Sequence, residues 1–553
     1  MKFSDKPLSQ TLVALCREKG IEHIVISPGS RNAPLTLGFA NDSYFKCFSI
    51  VDERAAAFFA LGIAQQLQKP VAVVCTSGSA LLNYYPAVAE AFYSDIPLLV
   101  FSADRPAEFI DIGDGQTIRQ ENIYEKHILY SANCQEGASY QLENEKEINI
   151  ALNTAIELHG PVHINLPFSE PLYQTVDTPT IFPQNVPPRP FENEAVDLES
   201  YAEIWNESGR KMILVGTLAP NSLEKQIVEQ LAQDKSVLVL TETTSNLHHP
   251  NFISAIDQLI TPLTDSAFEA LRPDVLLTFG GLVVSKRIKA FLRKYKPLHH
   301  WHVDPKKALD TYFVLERHIK MRPNDFFNAF LPLVRSFSGE YQSQWLSVKH
   351  HRLTRHKDYE DKVPYSDFKV FQRIFDLMPD GLQLQLSNSA TIRYAQLFDI
   401  KEGVQVFCNR GTSGIDGSTS TAVGAAVATE SPTLLITGDL SFFYDSNGLW
   451  NKHIPANFKI IVINNGGGGI FRILPGEKDT ALFDTFFETK HELSGIHLAK
   501  MFGFDYCSVH NEEELEELLP FLFQKEDRPA ILEIFTPDGV NDEALIAYFR
   551  SIS

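Results

Sequence analysis

Two short runs in the last third of the chain supply oxygen ligands of the kind that a magnesium ion prefers. Asp439 offers a carboxylate and Asn465 an amide oxygen, and the glycines at 466–469 let main-chain carbonyl and N–H groups approach a ligand closely because glycine has no side chain. Hard oxygen donors in small number suit Mg²⁺, which completes its octahedron with water and phosphate oxygens. Each short run taken alone is more often a tight turn or a flexible loop. Their pairing predicts a site for a metal ion and a phosphorylated ligand.

The elements that must position these residues follow from the runs around them. The apolar run 434–437 precedes Gly-Asp-Leu-Ser at 438–441, and the apolar run 458–463 precedes Asn-Asn-Gly-Gly-Gly-Gly at 464–469. Such apolar runs predict parallel strands that are covered on both faces. Residues 444–452 are predicted to form the crossover helix. The two polar runs then leave the same edge of one sheet, where open α/β sheets bind ligands.

This pair of runs resembles the diphosphate- and Mg²⁺-binding motif of thiamine diphosphate (ThDP) enzymes, in which Gly-Asp-Gly is followed after one crossover by Asn-Asn. Leu440 stands where the motif has its last glycine. This difference restricts the resemblance to a part of the ThDP enzyme family. The resemblance implies ThDP with Mg²⁺, or alternatively Mn²⁺, as cofactors, and the metal ligands would be Asp439, Asn465 and Gly467. Such a cofactor carries the organic chemistry, while the protein positions and tunes it.

Glu53 is the candidate for the carboxyl group that the pyrimidine ring of ThDP requires. It lies in Val-Asp-Glu-Arg at 51–54, at the end of a predicted strand and before a nearly all-apolar helix at 55–66. A helix N-terminus also favours a solvated acidic residue, so for Glu53 taken alone both interpretations stay open. The resemblance implies that Glu53 supports the imino form that removes the thiazolium proton. It also implies that Glu53 reaches a cofactor held by a partner subunit, in a homodimer or tetramer with active sites at the subunit interface.

A further glycine-rich segment, 409–417, follows another predicted strand. Ile415 in this segment is the candidate for the apolar wedge that bends ThDP, although an isolated apolar loop residue is more often an ordinary packing residue. By resemblance, the cofactor-binding residues are Glu53, Ser387, Ser389, Arg410, Gly411, Ile415, Gly438, Asp439, Leu440, Ser441, Asn465, Gly467, Gly468, Ile470 and Phe471.

Basic residues also follow predicted strand ends, in a chain whose net charge is −20. They are Arg31, Arg105, Arg119, Arg393, Arg410 and the pair Lys286-Arg287. Arginine binds carboxylates through two parallel hydrogen bonds, so cations gathered at one sheet edge indicate anionic substrates. Each of them taken singly is more often a solvated surface charge.

Several segments together resemble one branch of the ThDP enzymes. This branch decarboxylates 2-oxoglutarate and adds the resulting succinyl-semialdehyde carbanion in 1,4 fashion to isochorismate, a step toward menaquinone. The matching segments are 27–35, 51–54, 76–80, 103–106, 115–120, 387–393, 409–417, 438–445 and 464–471. In this branch Gly-Asp-Leu-Ser replaces Gly-Asp-Gly, which accounts for Leu440. The resemblance implies catalytic roles for Glu53, Arg31 and Arg393.

The same resemblance assigns the two anionic substrates to different residues. Ser389 and Arg393 would hold 2-oxoglutarate, and isochorismate would be held by Arg31, Arg105, Gln116 and Lys286. The full set of predicted substrate contacts is Ser30, Arg31, Arg105, Gln116, Lys286, Arg287, Ser389, Arg393 and Leu474. Gly115 stands where the branch has an asparagine, so one minor substrate contact is missing from this sequence.

Length and composition bound the class of protein. The 553 residues suffice for three domains, and 44% apolar with 21% charged residues is typical of a globular protein. The net charge of −20 argues against a binder of nucleic acid or of a membrane surface. Six scattered cysteines without a CxxC pair, and an amino-terminal segment without the apolar core of a signal peptide, predict a cytoplasmic protein. No apolar run approaches the length of a membrane span.

Alternating strands and helices predict an α/β fold of three doubly wound domains with mostly parallel sheets, as in ThDP enzymes. The predicted domains are 1–178, which binds the pyrimidine, a central domain at 191–336, and 366–553, which binds the diphosphate and the metal. Prolines mark the first linker, and a polar connector precedes the third domain. Two alternatives stay open: another ThDP-dependent 2-oxo acid decarboxylase or carboligase, and a non-catalytic sensor of an anionic metabolite on the same fold.

Overall fold

The computed structural model describes residues 2–335, 339–473, 478, 480–524 and 527–553. In these residues the strands are, in chain order, β1 Phe3–Ser4, β2 His23–Ile26, β3 Lys46–Ser49, β4 Val71–Cys75, β5 Leu98–Asp104, β6 Tyr130–Asn133, β7 Val162–Pro167, β8 Thr175–Val176, β9 Lys211–Val215, β10 Val237–Leu240, β11 Val275–Phe279, β12 His299–Val303, β13 Arg317–Ile319, β14 Gln383–Leu386, β15 Gln405–Cys408, β16 Thr433–Gly438, β17 Phe458–Asn464, β18 Asp505–Val509 and β19 Ala530–Phe535.

Helices connect these strands. They are α1 Pro7–Glu18, α2 Ala33–Ala40, α3 Glu53–Leu67, α4 Ala80–Asn83, α5 Tyr85–Ser94, α6 Gln141–Leu158, α7 Leu198–Glu207, α8 Lys225–Gln233, α9 Ile256–Ile260, α10 Asp265–Leu271, α11 Lys286–Lys294, α12 Pro323–Phe330, α13 Tyr341–Glu360, α14 Asp367–Leu377, α15 Ala390–Ala395, α16 Ser418–Val427, α17 Asp439–Tyr444, α18 Ala481–Phe483, α19 Ile496–Phe502, α20 Glu512–Gln524 and α21 Asn541–Ser551. No helix among the described residues is both long enough and apolar enough to cross a membrane.

Three parallel sheets organise the described part of the chain, which confirms the predicted α/β class. The first sheet has the order β3-β2-β4-β5-β7-β6 and the third has the order β15-β14-β16-β17-β19-β18. Numbered within each sheet, both orders are the same. The middle sheet, β10-β9-β11-β12-β13, shares the arrangement of its first four strands with them. The three sheets fall within the three predicted domain ranges, while the domain boundaries themselves stay predictions.

Both faces of the sheets are buried, as the continuous apolar runs require. In β4, Val71 and Val73 belong to one apolar cluster, whereas Ala72 and Val74 belong to another, and all four are fully buried. In β17 the alternation is the same, since Ile460 and Val462 pack in a different cluster from Ile461 and Ile463. These two central strands therefore lie between two layers of packed side chains, so a site can form at their ends but not on their faces.

One of these clusters is shared by the first and third sheets. It joins residues of α3 to residues of α16, which follow equivalent strands of their sheets. The two helices cross so closely that a Cβ on Gly62 would lie 2.1 Å from the carbonyl oxygen of Thr421, and one on Gly424 would lie 2.0 Å from that of Phe59. Glycine at both positions is therefore a condition of the contact, and the expectation that the helix after Glu53 is buried is confirmed.

The predicted crossover helix at 444–452 is wrong. The helix α17 begins at Asp439 and ends at Tyr444, and a 3₁₀ turn, Ser446–Leu449, follows it. An acidic residue in the first turn is stabilised by the helix dipole, so Gly-Asp-Leu-Ser starts the helix instead of forming a separate turn. The sequence Ser-Asn-Gly at 446–448 is unfavourable in a helix interior. The sequence also did not predict the strands β6 and β13, which lie at the edges of their sheets.

Candidate active site

The two predicted metal-binding loops lie side by side at the carboxyl ends of neighbouring strands. β16 pairs with β17 in parallel, with Gly438 opposite Ile463. Asp439 is buried, and its Oδ2 accepts a hydrogen bond of 2.9 Å from the main-chain nitrogen of Gly467. His491 Nε2 lies 3.4 Å from the same oxygen, and this contact raises the pKa of His491. The carboxylate and the glycine loop therefore meet as the sequence indicated.

Asn465 directs its amide nitrogen to Asp367. Its Nδ2 donates a hydrogen bond of 3.0 Å to Asp367 Oδ2, and burial raises the pKa of Asp367 to about 6. Among the described residues no donor contacts Asn465 Oδ1. Gly467 has a φ of 153°, and a Cβ there would lie 2.6 Å from the carbonyl oxygen of Glu488, so this position requires glycine. Its carbonyl accepts from the nitrogen of Gly469 at 3.1 Å and keeps a second lone pair.

These donors fit a magnesium ion that carries a diphosphate. Asp439 supplies one carboxylate, and the remaining ligands are an amide and a main-chain oxygen, which leaves room for phosphate oxygens and water. In the described part of the chain, no group of three His, Cys, Asp or Glu side chains could hold a metal. A site of this sparse kind needs the ligand's own oxygens to complete it.

Three other cofactor candidates gather around the same loops. Gly438 donates its main-chain N–H to Ser387 Oγ at 3.4 Å, across the pair β14 and β16. Ser441 Oγ donates a hydrogen bond of 2.9 Å to the carbonyl of Ile415, so the candidate wedge residue is fixed beside the start of α17. Ser389 has a φ of 68°, an uncommon conformation for a residue with a side chain, and such strain is concentrated at functional sites.

The segment 409–414 is held from two sides. Asn388 Nδ2 donates hydrogen bonds of 2.7 Å to the carbonyls of Asn409 and Gly414. From the opposite side Glu90, on α5 of the first domain, accepts hydrogen bonds from the main-chain nitrogens of Gly411 and Thr412 at 2.7 and 2.6 Å. The position of this loop therefore depends on two residues, Asn388 and Glu90, that lie outside it.

Cations of the third and middle domains form one group. Arg393 interacts electrostatically with Asp257 and Arg410, and burial lowers its pKa. Asp257 accepts a hydrogen bond from Ser285 Oγ, and Ser285 caps the N-terminus of α11. The predicted pair Lys286-Arg287 is exposed at that N-terminus. The middle domain therefore places its basic pair next to the arginines of the third domain.

A buried carboxylate supports the same helix start. Glu242 accepts hydrogen bonds of 2.6 and 2.7 Å from the main-chain nitrogens of Val284 and Ser285. Burial raises the pKa of Glu242 to about 7, although Arg410 acts in the opposite direction. Arg287 stacks on the ring of Phe549 at 5.1 Å. Glu242 therefore fixes the segment that carries the basic pair.

The first-domain cations form a second group. Arg31 is buried, donates to the carbonyl of Phe168 at 2.8 Å and lies 3.4 Å from Glu170. Burial lowers the pKa of Arg31, and the nearby Arg105 lowers it further. The Nε atoms of both arginines are buried without a hydrogen-bond partner among the described residues. Each of these two guanidinium groups therefore keeps one buried N–H group that no described residue binds.

The neighbouring first-domain predictions differ in their surroundings. Ser30 is exposed beside Arg31, and Gln116 adopts a φ of 55° with its backbone packed against Gly78. Arg119 is 83% exposed and pairs with Asp111 at 2.8 Å. Arg119 therefore forms a solvated ion pair at the surface. This agrees with its interpretation as a surface charge and not with a role in binding anionic substrates.

Glu53 is half-buried at the first position of α3, which Asp52 caps by accepting from the nitrogen of Ala55. Burial raises the pKa of Glu53, and the neighbouring Asn83 of its own domain acts in the opposite direction. A solvated acid at a helix start would not have a raised pKa, whereas acid–base groups commonly do. Its neighbour Arg54 donates to the carbonyl of Tyr444 at 2.9 Å, which places this strand end beside α17 of the same chain.

The sequence alone did not indicate Glu90, Asp367 or Glu242, because none of them lies in a glycine-rich run or among the basic residues. Asn388 lies in the matching segment 387–393, but no role was predicted for it from the sequence. Their common signal is burial of a polar side chain that bonds a predicted loop. Of the remaining predictions, Leu440 and Gly468 lie in the metal loops, and the 3₁₀ turn Gly469–Ile473 carries Ile470 and the partly exposed Phe471. Leu474 lies outside the described residues.

Comparisons with known proteins agree with this geometry. Three family models match in order: the N-terminal TPP binding domain of thiamine pyrophosphate enzymes at residues 7–126, the middle domain of thiamine pyrophosphate enzymes at 192–386, and the C-terminal TPP binding domain at 389–534. The chain is therefore a ThDP-dependent enzyme, and the expected cofactor, ThDP, is confirmed.

Full-length relatives define the family more closely. The chain is 57% identical to the 2-succinyl-5-enolpyruvyl-6-hydroxy-3-cyclohexene-1-carboxylate synthase of Flavobacterium johnsoniae over 99% of both chains. It is 54% identical to the enzyme of that name from Flavobacterium psychrophilum over 100% of both, and 37% identical to that from Porphyromonas gingivalis over 100% of this chain and 98% of the relative. This chain belongs to the family of 2-succinyl-5-enolpyruvyl-6-hydroxy-3-cyclohexene-1-carboxylate synthases, which are transferases of the carboligase type.

Proposed function

We propose that this enzyme decarboxylates 2-oxoglutarate and adds the resulting four-carbon unit in 1,4 fashion to isochorismate, in the biosynthesis of menaquinone. The observation that carries the proposal is the presence of two separate cationic groups, one centred on Arg393 and Arg410 and the other on Arg31 and Arg105. Both substrates are dicarboxylates, and two groups provide for two anions. The names of the full-length relatives give the product of this reaction.

Bound ThDP would supply a carbanion that adds to the keto carbon of 2-oxoglutarate, and would stabilise the negative charge that is left on that carbon when CO₂ is lost. Asp439, Asn465 and Gly467 would hold Mg²⁺ against its diphosphate. Glu53 would hold a proton at the pyrimidine ring, for which its raised pKa suits it. The half-buried Ile415 would shape the cofactor through its fixed contact with Ser441.

The substrates would be divided between the domains. Arg393, with Ser389 and Arg410 in the same domain, would bind 2-oxoglutarate beside the metal loops. Arg31 and Arg105 would bind isochorismate, because they form a cationic group in the first domain that is separate from the group of Arg393. Gln116 and Ser30 would complete that side. Lys286, which was predicted from the sequence to contact isochorismate, and its neighbour Arg287 lie with the group of Arg393 instead, since Asp257 interacts with both Arg287 and Arg393.

This division of roles has implications for assembly. As the resemblance to ThDP enzymes implies, we expect Glu53 to reach ThDP bound by a partner chain, in a homodimer or a tetramer. We also expect a cytoplasmic enzyme with domains at 1–178, 191–336 and 366–553.

The test compares Arg393→Ala with Arg31→Ala. Truncating one partner of a buried charge pair costs about 2–5 kcal/mol, so Arg393→Ala should slow single-turnover decarboxylation of 2-oxoglutarate even without isochorismate. Arg31→Ala should leave that step nearly intact and raise the isochorismate concentration needed for product formation. Equal damage to the first step in both variants would contradict the two-group site.

A second measurement addresses the substrate class. The wild-type enzyme should consume 2-oxoglutarate, should respond to isochorismate and should leave pyruvate unused. Turnover of pyruvate without a response to isochorismate would assign the chain to a different reaction of the ThDP enzymes.

A further inference from the structure

Asp367 lies beside the proposed metal site although it belongs to none of its loops. It is the first residue of α14, it is 2% exposed, and its Oδ2 accepts the hydrogen bond of 3.0 Å from Asn465 Nδ2. It lies near enough to Asp439 for the two carboxylates to interact electrostatically. An unpaired buried charge is costly, so a role of the Asp367 carboxylate has to account for its burial next to the proposed metal site.

The hydrogen bond fixes the direction of the Asn465 amide. A side-chain amide has a donor end and an acceptor end, and Asp367 as a carboxylate accepts only. The bond to Asp367 therefore engages the nitrogen and turns Oδ1 to the opposite side. In the flipped orientation, the NH₂ group would face a cation, and two oxygens would face each other at Asp367.

Asp367 is itself held rigidly. Its Oδ1 accepts a hydrogen bond of 2.7 Å from Thr536 Oγ1, and its main-chain nitrogen donates to Asn541 Oδ1 at 2.7 Å. Asn541 Nδ2 in turn contacts Thr536 Oγ1 at 3.4 Å. Both carboxylate oxygens of Asp367 are therefore engaged, one by the support and one by Asn465, so its position is defined before any ligand binds.

We propose that Asp367 is a positioning residue for the metal ion and acts through Asn465. It orients the amide oxygen of Asn465 toward the cation by holding the amide nitrogen. Residues that orient metal ligands in this way affect metal affinity directly. The inference rests on the proposed metal site and extends it to a residue on another element.

The test measures Mn²⁺ binding in the presence of ThDP, by electron paramagnetic resonance of free Mn²⁺, so it does not depend on turnover. Asp367→Ala should weaken Mn²⁺ binding about 10- to 100-fold. Asp367→Asn should lose less, because its own amide oxygen can still accept from Asn465. Asp376→Ala is the matched control, since Asp376 lies on the same helix and pairs with Arg373 at the surface, and it should bind Mn²⁺ like the wild type.

A double variant separates positioning from general damage. Because Asp367 is proposed to act through Asn465, the loss in Asp367→Ala/Asn465→Ala should be close to that of Asn465→Ala alone, whereas independent effects would add. Circular dichroism of each variant without cofactor tests whether it is folded. If Asp367→Ala does not fold, Asp367→Asn takes its place in the comparison. Wild-type Mn²⁺ affinity in both Asp367 variants, or fully additive losses, would overturn the inference. A wild type that binds no Mn²⁺ with ThDP would instead overturn the proposed metal site.

Discussion

Removing the Glu90 carboxylate should loosen the segment 409–417 without unfolding the domains. Glu90 is 1% exposed and receives hydrogen bonds from the main-chain nitrogens of Gly411 and Thr412 and from Thr412 Oγ1. Hydrogen bonds to a charged group contribute about 1.5–3 kcal/mol each, so the two main-chain bonds amount to about 3–6 kcal/mol. The net loss is smaller than this sum for two reasons. Removing Glu90 also removes the cost of burying a charge, and water can hydrogen-bond the exposed Thr412 in place of Glu90. We therefore expect Glu90→Ala to lower the opening free energy of this loop by about 2–4 kcal/mol.

Amide hydrogen exchange followed by mass spectrometry measures this quantity for the loop itself. Since 1.4 kcal/mol corresponds to a tenfold change, protection of peptides covering 409–417 should fall about 30- to 700-fold. Peptides from the middle sheet should be unchanged. Ser94→Ala is the control, because it removes only the hydrogen bond of 2.7 Å from Ser94 to Glu90 and should cost about 0.5–1.5 kcal/mol. Wild-type protection of the loop in Glu90→Ala would refute the reasoning.

Three further predictions follow from the structure. Asp439→Ala should abolish ThDP retention, whereas Glu53→Gln should keep ThDP and lose activity. Calorimetry of ThDP binding at fixed Mg²⁺ checks this, and an equal loss of ThDP binding in the two variants would contradict the assigned roles. Between about pH 4.5 and 7, folded Glu242 keeps a proton that the unfolded chain has released, so its contribution to stability falls as pH rises. Urea denaturation should therefore show a weaker pH dependence for Glu242→Gln than for the wild type, and identical slopes would argue against this. Gly424→Ala should lower the free energy of unfolding by about 3 kcal/mol or more through overpacking, while Gly115→Ala, with open space around it, should have little effect in the same assay.

The sequence was most informative where one residue type has one physical use. The apolar runs before Asp439 and Asn465 predicted the neighbouring strands β16 and β17 correctly, because a strand buried on both faces has to be apolar throughout. The helix limits were less certain from sequence, since Asp439 is equally suited to a turn and to the first turn of a helix. Only packing of α17 against the sheet decides between them.

Residues that act through distant partners could not be predicted. Asp367 and Asn465 are far apart in the chain, and nothing in the sequence around Asp367 distinguishes it from a surface acid at a helix start. The same is true of Glu90, whose partners Gly411 and Thr412 belong to another domain. Such roles depend on the fold bringing two elements together, so they become visible only in three dimensions.

The close crossing of α3 and α16 also determines when the chain can complete its fold during synthesis. Gly62 and Thr421 are roughly 360 positions apart, and at about 5–20 residues per second the ribosome needs roughly 20–70 s to make the intervening chain. During that time α3, which is apolar on nearly all sides, has been made without the helix that covers it. The nascent first domain therefore exposes the apolar face of α3 until residues 418–427 have emerged. A truncated first domain expressed alone should aggregate for the same reason.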